Sequence, residues 1–221
     1  MAASGSRLAE VRRSTDLDQA LRVATELLAD AGVPTPRADA ELLVAYLLNT
    51  SRGGVVAAAL RGTTPPAGLA DLVACRAARI PLQYLTGVAY FRDVQLAVGP
   101  GVFVPRPETE LVAGLAVGAA RELVSVQGDA LVADLGTGSG AIALAVATEV
   151  PDAQVLAVEV DRIAAAWAAR NFRDQQNIQL IVADAQSALL GSAVDVVVTN
   201  PPYVPPDAPT EPEVVHDPPA A

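Results

Sequence analysis

From Leu131 onward the chain alternates short apolar runs with helical segments, and this alternation restricts the possible folds more than any other feature. Leu131 to Leu135, Val155 to Val158, Ile178 to Val182 and Val194 to Thr199 read as strands, while Ala141 to Thr148 and Ile163 to Asn171 read as helices. Strands separated by helices need crossovers, and the right-handed crossover rule folds them into a parallel, doubly wound α/β sheet. Ligands of such sheets lie beyond the carboxyl ends of the strands, so the chemistry is expected there.

Each strand end carries a group that suits a nucleoside-bearing ligand. The first runs into Asp134-Leu135-Gly136-Thr137-Gly138-Ser139-Gly140, which opens directly into the Ala141 helix. Its glycines permit a sharp turn and close approach of a ligand to the backbone. Their spacing at every second residue differs from the Gly-x-Gly-x-x-Gly dinucleotide fingerprint, and no lysine follows as a phosphate loop requires. Taken alone, the loop could be only a tight strand-to-helix turn. Glu159 ends the second strand, where a carboxylate can accept hydrogen bonds from both ribose hydroxyls or serve simply as a strand-end charge. Asp184 ends the third, where it could accept from an adenine amino group.

The fourth strand ends in Asn200-Pro201-Pro202-Tyr203. Consecutive prolines donate no backbone N–H, so the loop offers carbonyl acceptors beside the Asn200 amide, a set suited to a substrate presenting NH2. Tyr203 adds a flat face that can stack on a planar amide or base.

The first half reads differently. Leu17 to Ala31, Arg37 to Leu48 and Ala67 to Ala78 have helical spacing, so residues 1–83 are expected to form a small helical bundle. Val88 to Phe91 and Val94 to Val98 flank Arg92-Asp93 as a hairpin, giving a linker over residues 84–104. A helix from Glu108 to Val124 then opens a domain over residues 105–221.

Composition removes several classes. One cysteine, Cys75, excludes an intrachain disulfide, and one histidine, His216, leaves no Cys/His cluster for zinc, so no metal is expected. All 15 basic residues are arginine, which excludes a Schiff-base lysine. Residues 129–221 carry the whole net charge of −10, which disfavours nonspecific binding to a phosphate backbone. The sequence shows neither a signal segment nor a long apolar span, so a soluble, cytoplasmic protein without membrane attachment is expected.

Four segments in order carry a resemblance: Arg79-Ile80-Pro81-Leu82-Gln83-Tyr84-Leu85-Thr86-Gly87, then Val102-Phe103-Val104-Pro105-Arg106-Pro107-Glu108-Thr109-Glu110, then the glycine loop and the Asn-Pro-Pro-Tyr loop. Together they resemble the PrmC/HemK family of protein-glutamine methyltransferases, which modify the Gly-Gly-Gln glutamine of peptide-chain release factors. The resemblance implies a class I S-adenosylmethionine-dependent methyltransferase with a Rossmann-like sheet behind an N-terminal helical substrate-recognition domain. It implies a release factor as partner, and a monomer is expected. Asp134 and the loop Gly136, Thr137, Gly138, Ser139, Gly140 would cradle the methionine part of S-adenosylmethionine, and Glu159 would hold its ribose. Asp184 and Ala185 would flank the adenine. Arg106 and Glu108 belong to a segment, Pro105 to Glu110, that would close over the cofactor. Asn200 would stand between cofactor and substrate, and Asn200, Pro201, Pro202 and Tyr203 would hold the substrate amide. The chain departs from the family where Ala185 replaces a larger side chain, and where it stops at Ala221 although the family fold continues with a further helix and strands. A methyltransferase domain cut short after its fourth strand is therefore expected.

Two other readings stand beside this one. An adenine-amino methyltransferase of DNA or RNA shares the Asn-Pro-Pro-Tyr logic, because adenine also presents NH2 beside a flat ring. A noncatalytic remnant whose helical bundle still binds a partner is the other.

Overall fold

A computed structural model describes residues 2–188, 193–201 and 212–218. The chain forms two compact units, Met1–Thr86 and Gly87–Ala221. The first is all helical: α1 (Ala2–Arg13), α2 (Leu17–Asp30), α3 (Pro36–Leu48), α4 (Arg52–Leu60), α5 (Leu69–Ala77) and α6 (Leu82–Thr86). Asp16 caps α2 by accepting from the N–H groups of Asp18 and Gln19, and Leu17, Leu21, Ala24, Leu27 and Leu28 line its buried stripe. Pro36 starts α3, where its missing N–H costs nothing, and Asn49 closes it in the left-handed region. Leu17, Leu21 and Leu28 meet Leu43, Val44, Val55, Leu69 and Val73 in one core.

Helices α1 and α4 are not foreshadowed by the apolar pattern. α4 begins at Arg52-Gly53-Gly54, and it forms because the Ser51 hydroxyl caps Gly54 and because Val55 and Ala58 bury against the bundle. A buried ion pair also crosses this core: Arg76 Nε donates to Asp39 Oδ2 at 2.7 Å, and Thr35 donates to Asp39 Oδ1.

The second unit opens with the antiparallel hairpin β1 (Val88–Phe91) and β2 (Val94–Ala97). Arg92 sits in the turn at φ +49°, and its guanidinium grips Glu149 through two hydrogen bonds of 2.5 and 2.9 Å. That grip, led by the hydrogen bond from Arg92, holds the Glu149 carboxyl below the ordinary carboxylate range. After α7 (Thr109–Gln127) come β3 (Ala130–Leu135), α8 (Ala141–Glu149), β4 (Ala153–Glu159), α9 (Arg162–Asn171), β5 (Ile178–Val182), the single turn α10 (Ala185–Ala188) and β6 (Val196–Thr199). The strands form one parallel sheet in the order β5-β4-β3-β6.

This order places the start of the sheet in its interior. The chain runs outward from β3 through β4 to β5, then returns to the other side of β3 as β6. The reversal beside β3 is the topological switch point where open α/β sheets bind ligands. Ala130, Val132, Asp134, Ala153, Val155 and Ala157 share one fully buried face, and α8 lies on it because the Ala143 N–H donates to Asp134. β6 begins at Val196 rather than Val194, since Asp195 spends both its N–H and its carboxylate on the backbone of Leu131. Among the described residues, no single helix is long and apolar enough to cross a membrane.

Replacing Asp39 by Asn would leave the Arg76 guanidinium buried without its carboxylate. A loss of about 3 kcal/mol in unfolding free energy is expected by urea titration, and a change below about 0.5 kcal/mol would show that the pair does not hold the bundle.

Candidate functional site

The carboxyl end of β3 is built around a buried acid. Asp134 is 1% exposed; its Oδ2 accepts from the Thr137 hydroxyl at 2.6 Å and from the Ala143 N–H at 3.1 Å. Its other oxygen, Oδ1, is buried with no hydrogen-bond partner among the described residues. Burial pushes the carboxyl up to about 6; the charge of Glu159 adds to the rise, and the two hydrogen bonds oppose it. An orphaned acceptor of this kind is costly unless a donor arrives, so a cationic donor on a ligand suits it.

The loop after Asp134 is tied to the neighbouring strand. The N–H groups of Gly136 and Thr137 both donate to the carbonyl of Val158, and that of Gly138 donates to Glu159 Oε2 at 2.8 Å. Glu159 Oε1 accepts from the Asp161 N–H, so each carboxylate oxygen keeps one further acceptor site. A side chain placed on Gly136 or Gly138 would meet nothing within 4 Å, so the loop backbone borders open space. Gly140 is the opposite case: it stands at φ +86°, and a Cβ there would lie 2.4 Å from the Phe172 ring.

Asn171, at the end of α9, supports this loop from outside the sequence motif. Its Nδ2 donates to the carbonyls of Ser139 and Ala97, and its Oδ1 accepts from the Ala97 N–H. One side-chain amide thereby joins the glycine loop, the second hairpin strand and α9.

Asn200 arrives at the same edge from β6. Thr199 pairs with Leu135 and donates its hydroxyl to that residue's carbonyl, which sets Asn200 beside the start of the glycine loop. The half-buried Asn200 amide donates through Nδ2 to the Thr109 hydroxyl at 3.1 Å. Three residues before Thr109, Arg106 lies over the Phe103 ring and donates to Asp217 Oδ2 at 2.9 Å. Asp217 Oδ1 is buried and unpartnered among the described residues, and burial raises that carboxyl above its ordinary value in spite of Arg106.

The loop is thus tied at three points, Thr137 to Asp134, Gly138 to Glu159 and Ser139 to Asn171, with Asn200 next to it by register. Asp184 follows β5, whose last residue pairs with Glu159, and its carboxylate caps Gln186. Ala185 is exposed in the first turn of α10, and Glu108 is exposed just before α7. Pro201 is exposed, while Pro202 and Tyr203 lie outside the described residues. Thr109, Asn171 and Asp217 are the supports that sequence patterns missed. Their partners lie 91, 74 and 111 residues away, so no local spacing marks them.

The geometry fits a ligand bearing a cation and a diol-bearing sugar. Glu159 offers free acceptor sites for a diol, Gly136 and Gly138 border open space, and the buried Asp134 Oδ1 is an acceptor without a partner among the described residues.

Comparison with known proteins places this site in context. Residues 19–87 match the PrmC N-terminal domain, and residues 120–217 match the methyltransferase small domain. A release factor glutamine methyltransferase of Streptomyces coelicolor is 50% identical over 188 residues, covering 82% of this chain and 64% of the relative. One from Mycolicibacterium smegmatis is 46% identical, covering 92% of this chain and 72% of the relative. A 4-amino-L-phenylalanine/4-methylamino-L-phenylalanine methyltransferase of Streptomyces pristinaespiralis is 40% identical, covering 93% and 72%. The chain therefore spans about two thirds of the length of these relatives.

Gly140→Ala combines a left-handed backbone with overpacking against Phe172, and a loss of roughly 2–4 kcal/mol is expected in thermal unfolding. Introducing Phe172→Leu beside it should recover more than half of the lost midpoint relative to Phe172→Leu alone. An unchanged midpoint for Gly140→Ala would show that the loop is not seated on that ring.

Proposed function

The chain belongs to the release factor glutamine methyltransferase family, and from that premise we propose that it methylates the side-chain amide nitrogen of the glutamine in the Gly-Gly-Gln motif of release factors. S-adenosylmethionine is the methyl donor in this reading, and the protein acts as a cytoplasmic monomer. The observation that carries it is the convergence at one sheet edge of an orphaned buried carboxylate, an open glycine loop, a ribose-ready glutamate and an amide acceptor.

S-adenosylmethionine supplies an electrophilic methyl group and carries an ammonium and a ribose diol. Asp134 Oδ1 would take the ammonium and Glu159 the diol, while the Gly136 to Gly140 backbone would border the methionine portion. Asp184 and Ala185 would flank the adenine, and Arg106 with Glu108 would belong to the cover over it. The substrate amide is a poor nucleophile because its lone pair is delocalised into the carbonyl. Asn200 would accept from the amide NH2 through Oδ1 and, with the carbonyls of Asn200 and Pro201, hold the nitrogen in line. Pro202 and Tyr203 complete that loop on sequence grounds. Methyl transfer from the sulfonium would leave a neutral thioether, and the amide proton would pass to solvent, so positioning and preorganised acceptors would provide most of the rate.

The adenine-amino reading finds no support in the relatives described above, and the net charge of −10 over residues 129–221 opposes a nucleic acid substrate. An arylamine, as the third relative's name implies for that protein, presents NH2 beside a flat ring and belongs in the same assay.

Incubation with labelled S-adenosylmethionine, an unmethylated release factor, duplex DNA and 4-amino-L-phenylalanine is expected to place label on the Gly-Gly-Gln peptide. Asn200→Ala should nearly abolish that label while sparing cofactor affinity. Label on DNA or on the arylamine would overturn the substrate assignment, and no label with the cofactor still bound would favour the noncatalytic reading.

Asp134 adds a dependence on pH. Its folded-state value lies above the ordinary one, so the folded protein holds this proton more tightly than the unfolded chain does, and ionisation as pH rises through about 6 removes stability. A cationic donor on Oδ1 offsets that loss. Cofactor affinity is therefore expected to rise between pH 5 and pH 7 with a midpoint near 6, measured by calorimetry. Asp134→Asn should flatten the profile and weaken binding about tenfold or more at pH 7. A flat wild-type profile would remove Asp134 from cofactor binding.

A further inference from the structure

An asparagine side chain has two nearly isosteric orientations, related by a half-turn about its last bond, that exchange an acceptor for a donor. Only one of them presents Oδ1 to an incoming NH2. The proposed reaction thus depends on what holds the Asn200 amide, and among the described residues the partner of Nδ2 is Thr109. Thr109 is the first residue of α7 and is 7% exposed. Its N–H is committed to the Arg106 carbonyl at 3.0 Å, so the turn from Arg106 to Thr109 is closed on itself. The far end of that turn is anchored in its own right, through the ion pair of Arg106 with a 7%-exposed Asp217 carboxylate and through the stacking of Arg106 on Phe103. A hydroxyl held in this way is a fixed platform.

We propose that Thr109 is the positioning residue of Asn200: its hydroxyl accepts from Nδ2 and holds the side-chain amide in place, with Oδ1 left as the acceptor offered to the substrate NH2. The proposal rests on the methyl-transfer reading for its consequence, though not for the contact itself. Thr109 touches neither substrate nor cofactor in this scheme. Its influence passes entirely through Asn200, and this separates it from a residue that merely supports the fold.

The test compares Thr109→Val, which keeps shape and removes the hydroxyl, with Thr109→Ser, which keeps the hydroxyl. Thr109→Val is expected to lower kcat on the release factor about tenfold or more, with KM and cofactor affinity within about threefold, and Thr109→Ser to stay near wild type. In an Asn200→Ala background Thr109→Val should cause no further loss, because the two residues act as one unit. Full kcat in Thr109→Val, or an equal loss in both backgrounds, overturns the proposal.

A readout independent of activity accompanies these. The sequence has four asparagines, so selective 15N-asparagine labelling gives four side-chain amide pairs, and the one missing in Asn200→Ala is that of Asn200. Thr109→Val should shift this pair and speed its solvent exchange about tenfold, while the pairs of Asn171 and Asn177 stay unchanged. An unmoved Asn200 pair overturns the proposal even if the wild-type chain transfers no methyl group. A moved pair in a chain without transferase activity supports the contact and overturns only the assigned reaction.

Discussion

Two carboxylates buried at adjacent strand ends constrain the rest of the second unit. Asp134 and Glu159 end β3 and β4, both are less than 10% exposed, and the charge of Glu159 adds to the desolvation that raises Asp134. Placing like charges side by side in a low-dielectric edge is unfavourable unless donors surround them. The glycine loop supplies those donors, as the Gly138 N–H reaches Glu159 and the Thr137 hydroxyl with the Ala143 N–H reaches Asp134. The loop conformation and the acids therefore depend on each other. Replacing either acid by an apolar residue would strand backbone donors, and a loop without glycines at these turns could not present them.

The loop in turn needs a floor and walls. Phe172 is the floor under Gly140, and Asn171 fastens Ser139 to the hairpin at Ala97. The hairpin is held independently at its turn, where Arg92 engages Glu149 at the end of α8 and the carboxylate of Glu110 in α7. Trp167 extends the contact by resting on Gly99, where a Cβ would come within 2.6 Å of its ring. Helices α8 and α9 thus brace the hairpin and carry the glycine loop on the same scaffold, so the loop's precision comes from rigid elements on both sides.

What could be read from the sequence follows the range of each interaction. The strands Ile178 to Val182 and Leu131 to Leu135, and helices such as α2, were legible because apolar period is local. The Gly136 to Gly140 loop and Asn200 were legible for the same reason, since a glycine turn and a proline pair carry their conformational meaning within a few residues. Helix α4 was not, because two glycines at its start lower intrinsic propensity and tertiary burial of Val55 overrides them. Thr109 and Asp217 were illegible as supports. A threonine at a helix start and an aspartate before proline are ordinary residues, and only the fold brings them to Asn200 and Arg106.

Charge distribution connects this scaffold to its chemistry. Residues 129–221, which contribute the sheet and its loops, carry the net charge of −10, and the proposed donor is a cation before transfer that loses that positive charge with the methyl group. A negative field would favour the charged donor over the neutral product in that reading. The field also opposes phosphate backbones, whereas an uncharged NH2 group, on a protein amide or an arylamine, meets no such barrier.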